Sequence, residues 1–239
     1  MGRLIPTHFY IFTHFYFSLS LFTNIVQKFE IDNMEYPIYD ITFDPTQDIG
    51  MSAISFVDIP AICQDFVYFS KDGKSNHCEL KSGSIIMSNV EKHEIVSPIL
   101  IPNQLILRID ENGNKYYNRW TKEVIEEIAT YYFLNQFQNN FTIMHSWFTG
   151  DMEDEYTKSF IPDVYMLRMW IIDDETRDEA NKKYGYHLPN GTLMVHLKVH
   201  NRKLWSRIKS GELKGLSIEA FVPQVKNKSI KYCKNNGKE

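Results

Sequence analysis

Ser217 lies in Lys214-Gly215-Leu216-Ser217-Ile218-Glu219-Ala220-Phe221, whose alternation predicts a β-strand. Leu216, Ile218, Ala220 and Val222 fall on one face of that strand, and Ser217, Glu219 and Phe221 on the other. One hydroxyl is thus presented opposite a more uniformly apolar face, just after a glycine expected to let the backbone turn tightly. A hydroxyl is a weak nucleophile without a base beside it. A strand serine is more often structural than catalytic, so this segment by itself assigns no chemistry.

The other reactive side chains exclude more than they suggest. His196 and His200 have the spacing of a helical metal pair, but Thr192 to His200 alternates strictly and reads as a strand. Four residues along a strand cover about 13 Å, too far to share an ion. His93-Glu94 lacks the second histidine of a zinc-protease helix. Cys63, Cys78 and Cys233 form no Cys-x-x-Cys, and their odd number and wide spacing fit a reducing compartment. With no Gly-x-Gly and no Gly-x-x-x-x-Gly-Lys-Ser/Thr phosphate loop (Tyr68 stands where Gly73-Lys74-Ser75 would need its first glycine), dinucleotide and nucleoside-triphosphate binding lack support. Neither a cofactor nor a metal is expected. Asp151, Glu153, Asp154 and Glu155 read as a solvated acidic loop rather than a calcium site.

The elements that must position these groups follow from periodicity. Strands are predicted at 36–42, 52–57, 84–90, 94–100 and 104–109, with a polar turn through 71–76. Asn112-Gly113 turns the chain into a further strand at 115–119. A helix is expected over 122–136, capped by Thr121 and apolar along Val124, Ile125, Ile128, Ala129 and Tyr132. His145 falls in the loop that follows. Strands at 164–172, 192–200 and 216–222 and short helices at 174–184 and 201–210 complete the pattern. Many short strands with few helices predict a β-rich α+β domain, barrel-like or a wrapped sheet.

The 239 residues are 43% hydrophobic, enough for a sizeable core, and the net charge of −4 argues against nucleic-acid binding along the whole surface. Eight aromatic residues crowd the first 33, and residues 4–27 carry no Asp, Glu, Lys or Arg. Three readings stay open for this extension: a misassigned start with Met34 as the true one, a membrane or signal segment, or a packed extension. The expected organisation is an apolar extension at 1–33, one domain at 34–225 and a Lys-rich tail at 226–239.

Gly215-Leu216-Ser217-Ile218-Glu219-Ala220 is similar to the Gly-Phe-Ser-Ile-Glu-Gly signature of the phage prohead, or capsid maturation, serine proteases. Other pieces resemble that family in the same order. Met34 to Asp40 and Met51 to Ile62 look like its N-terminal part, and Pro98-Ile99-Leu100-Ile101-Pro102-Asn103 like its Pro-Ala-Leu-Ile-Pro stretch. His145-Ser146 is similar to its His-Ser, and Trp170-Ile171-Ile172, Gly191-Thr192, Trp205 and Gly211 to Gly215 follow in order. The resemblance spans Met34 to Val222. It implies a serine endopeptidase of the immature capsid in the host cytoplasm, acting on scaffold and major capsid proteins. It also implies a fold resembling the herpesvirus assembly protease, a β-barrel wrapped by helices, and suggests self-association. Membrane contact is expected only if residues 4–27 are retained.

The resemblance makes Ser217 the nucleophile and His145 its general base. The third member departs from the family pattern. Many members of that family read Glu-Ser-Trp-Ile-Val where this chain has Arg168-Met169-Trp170-Ile171-Ile172, and Ala220 replaces the last glycine of the serine signature. Candidates to replace that Glu are Glu219 on the Ser217 face, Asp173 just beyond the altered motif, and His196 on the polar face of its strand. Lys198 or Lys214 as base of a Ser-Lys dyad is a weaker alternative. A weakened or inactive protease is the other expectation, since removing an orienting carboxylate costs about 10⁴ in rate.

Overall fold

A computed structural model describes residues 36–70, 86–87, 92–146 and 160–227. The apolar extension, the 71–76 turn, the acidic cluster at 151–155, Cys78, Cys233 and the tail beyond 227 lie outside the described residues. In chain order the elements are β1 (Ile38–Ile41), β2 (Gly50–Val57), β3 (Val67–Ser70), β4 (Ile86–Met87), β5 (Glu94–Leu100), β6 (Ile106–Ile109) and β7 (Lys115–Arg119). Helix α1 (Lys122–Leu134), β8 (Phe141–Ile143) and β9 (Val164–Ile171) follow. A π-helical turn (Glu179–Lys183), β10 (Leu193–Val199), helix α2 (Arg202–Lys209), β11 (Gly215–Phe221) and β12 (Gln224–Lys226) close the described chain.

Among the described residues the strands form three sheets, ordered β12-β1-β7-β6, β4-β3-β5-β10-β9 and β11-β2-β8. Strands and helices together make an α+β protein, as the periodicity predicts. The barrel does not appear: each sheet is open, with two different strands at its edges. Alternation along a chain specifies which face of a strand is buried but not whether the last strand meets the first.

β2 is the strand that places the site. Met51, Ala53, Ile54, Ser55, Phe56 and Val57 are all buried, so it is covered on both faces. β11 pairs with it antiparallel and β8 parallel, and α1 packs against it. The helix begins where expected: the Thr121 hydroxyl accepts the Val124 N–H, and Ile125, Ile128, Ala129 and Tyr132 form its buried face. Helix α2 is capped by Asn201, whose side chain accepts the Leu204 N–H at 3.0 Å. Its buried Trp205 stacks on His93 with ring centroids 4.7 Å apart.

The Asn112-Gly113 hairpin forms, with Leu107 opposite Tyr117 and Gly113 at φ +81°. Expected segment 174–184 contains one turn of π-helix rather than a regular short helix. β3, β8 and β12 have no counterpart in the sequence-based assignment. Gly215 serves a different purpose from the one expected. It has no left-handed φ; a Cβ placed on it would lie 2.5 Å from the Pro60 ring. The glycine lets the 58–65 loop lie against the start of β11.

Candidate active site

Three hydroxyl residues stand abreast across the β11-β2-β8 sheet. Ser217 is directly opposite Ser55, and Ser55 is in register with Thr142. Side chains at paired positions share a face, and directly opposed Cα atoms in an antiparallel pair are about 4.5–5.5 Å apart. All three are buried, Ser55 and Thr142 almost completely and Ser217 with 8% of its surface exposed. Glu219 follows two residues after Ser217 on the same face. The Thr142 hydroxyl donates to the Glu219 carboxylate, which ties β11 to β8 across β2. A bulge between Glu219 and Ala220 then breaks the strict alternation expected for this strand.

His145 arrives over this face from the turn that ends β8. Met144 and His145 both have left-handed backbones, at φ +52° and +57°. The turn is closed by the Ser146 N–H on the Ile143 carbonyl at 2.9 Å and the reverse bond at 3.4 Å. Positive φ at both central residues is the pattern of a type I′ turn, which favours Asn-Gly and is strained for Met-His. Two bonds to β2 hold it: the Met144 N–H donates to the Phe56 carbonyl at 2.9 Å, and the His145 N–H to Ser55 Oγ at 2.8 Å. The imidazole is then set beside Glu219, with Nδ1 3.8 Å from Oε1. That separation becomes an ion pair only when the imidazole is protonated, and it is too long for a hydrogen bond.

Burial holds the His145 pKa below the ordinary 6.5, and the Arg108 charge pushes it further down. The imidazole is therefore neutral near pH 7, the form a general base requires. Burial raises the Glu219 carboxyl, against the Thr142 hydrogen bond that lowers it. Tyr132 reaches the same region from α1. Its buried hydroxyl has no hydrogen-bond partner among the described residues, and its pKa is driven up by burial and by the Glu219 charge. No direct hydrogen bond joins Ser217 Oγ to the imidazole; their link among the described residues runs through Ser55.

Of the expected residues, then, Ser217, His145 and Glu219 come together. Asp173 and His196 do not join them. Asp173 is engaged by its own turn, accepting the Thr176 N–H at 2.8 Å and the Thr176 hydroxyl at 2.7 Å. His196 lies in the five-stranded sheet, on β10, with Nε2 3.1 Å from Glu94 Oε2. Lys198 is held by the same Glu94 at 3.5 Å and by the Lys92 carbonyl. Arg168, across from His196 on β9, pairs with Glu179 at 2.8 Å and lies over the Trp170 ring. Among the described residues no group of acidic, histidine or cysteine side chains could hold a metal ion, and no helix is long and apolar enough to cross a membrane.

Ser55, Thr142 and Arg108 are absent from the expected set. The signal for Ser55 was a hydroxyl inside the apolar run Ala53-Ile54-Ser55-Phe56-Val57, where a polar group must find a partner. Arg108 carried no comparable signal, because its hairpin strand reads as half exposed. Comparison with protein-family models, curated proteins and solved structures finds no match to this chain.

Proposed function

We propose that the protein is a serine endopeptidase in which Ser217 attacks the peptide carbonyl and His145 takes its proton. The observation that carries this is the placement of His145 over the Ser217 face, fixed by its N–H on Ser55 and flanked by Glu219. With Nδ1 toward Glu219, Nε2 is the nitrogen left for the serine. The Ser217 Oγ–H proton passes to Nε2 as Oγ bonds to the carbonyl carbon. The same proton then goes to the leaving amine as the C–N bond breaks, and water repeats the sequence on the acyl-enzyme. Glu219 stabilises the imidazolium that forms in between. The serine-to-imidazole hydrogen bond forms in the substrate complex, where catalytic contacts tighten.

The substrate class rests on the resemblance of the Ser217 and His145 segments to phage prohead proteases: scaffold and major capsid proteins, cleaved inside the immature capsid in the host cytoplasm. Co-expression with the neighbouring scaffold and capsid genes, comparing wild type with Ser217→Ala, tests it. Processed bands in the wild type alone support the proposal, and identical patterns in both contradict it.

The second proposal is a head-assembly protein that keeps this fold with weak or no activity. Two observations favour it: the 3.8 Å gap between Nδ1 and Glu219, and Arg168 standing where many prohead proteases have Glu, engaged by Glu179. Wild-type chain that binds scaffold but cleaves nothing is its expected signature.

A further inference from the structure

Among the described arginines, Arg108 and Arg202 have no carboxylate partner, and Arg202 is exposed on α2. Arg119 holds Asp40, Arg168 holds Glu179, Arg177 holds Asp174 and Arg207 holds Glu212. Arg108, on β6, is paired with none of the described carboxylates, and its buried Nε has no hydrogen-bond partner among the described residues. Burying a guanidinium without an anion is costly, and the cost falls when an anion binds. Arg108 lines a recess together with Ser217, Trp120, Ile62, Ile99 and Ile106. The surrounding walls are largely apolar, so among the described lining residues Arg108 is the one that carries charge, beside the candidate nucleophile. The space amounts to about 20 Å³, room for one small polar group.

We infer that Arg108 seats a carboxylate of the peptide substrate, so that the site selects an aspartyl or glutamyl residue beside the scissile bond. The inference rests on Ser217 being the nucleophile. Its chemistry is the charge-assisted hydrogen bonding of a guanidinium to a carboxylate, strengthened by the apolar walls. An amide of the same shape leaves the cation unneutralised, which makes the discrimination one of charge rather than size.

Binding to the full chain carrying Ser217→Ala tests this without turnover. The probes are N-acetylglutamate N-methylamide and its glutamine counterpart, titrated by NMR or calorimetry at equal ionic strength. The glutamyl probe is expected to bind about tenfold more tightly or better. Arg108→Gln is expected to abolish the preference and Arg108→Lys to keep part of it. Equal affinities, no binding of the glutamyl probe, or a preference that survives Arg108→Gln would overturn the inference. If Arg108→Gln does not fold, the two probes on the Ser217→Ala chain still decide. Failure here leaves the role of Ser217 standing. Failure of Ser217 to react with an active-site probe removes the peptidase instead, whatever the two probes show.

Discussion

Ser55 Oγ accepts the His145 backbone N–H at 2.8 Å from a position directly opposite Ser217. One hydroxyl thus fixes the candidate base relative to the candidate nucleophile, and holds a turn whose two left-handed residues strain it. Ser55→Ala is expected to cost about 1–3 kcal/mol of stability, because a turn N–H loses its acceptor. It should also lower kcat more than it raises KM. Urea denaturation with steady-state kinetics checks both; a variant with full kcat would remove Ser55 from the positioning role.

Glu219 is expected to behave as a buried carboxylate kept for chemistry. Burial raises its pKa, so the charged form disfavours folding. Glu219→Gln, which still accepts from Thr142, should leave stability unchanged or higher while kcat falls by about 10²–10⁴. Unchanged kcat would show that Glu219 does not orient or stabilise the imidazole.

The rate should follow the neutral form of His145. Activity is expected to fall as pH drops through a pKa below 6.5. Arg108→Gln removes one of the two causes of that depression, so the acid limb of kcat/KM should move to higher pH. A limb that stays in place would mean that another group titrates.

Stability has the same sign. The unfolded chain protonates this imidazole near 6.5 and the folded chain only at lower pH. Its contribution is therefore complete above the unfolded pKa and is lost as pH falls toward the folded one. His145→Gln should flatten that part of the stability profile, as measured by denaturant midpoints across the range.

Gly215→Ala is expected to act through packing rather than backbone conformation. The added methyl meets the Pro60 ring at 2.5 and 2.6 Å, so β11 or the 58–65 loop must move. A loss of about 1–3 kcal/mol is expected, with lower activity because Ser217 is two residues away. Pro60→Ala in the same chain should recover part of both.

Much of this arrangement was legible from pattern alone. Alternation in 192–200 and 216–222 located β10 and β11 to within a residue at each end, and the Thr121 cap with its apolar stripe located α1. Ser217 and Glu219 were placed on one face because a strand has period two. The open sheets were not legible, since closure depends on pairings between distant strands. Ser55 and Thr142 were hidden for a related reason: β2 is paired on both sides, and the row they form with Ser217 exists only in register. The His145 turn was obscured because Met-His has no glycine, asparagine or aspartate, the residues that signal this turn. Asp173 and His196 had plausible chemistry but other partners, in Thr176 and Glu94.

The most direct test of the central claim is covalent labelling of the folded full chain with a fluorophosphonate, read by intact mass and peptide mapping. One adduct on Ser217, absent from Ser217→Ala and strongly slowed in His145→Ala, is the predicted result. A folded wild-type chain that stays unlabelled, or labels equally in Ser217→Ala, would contradict it.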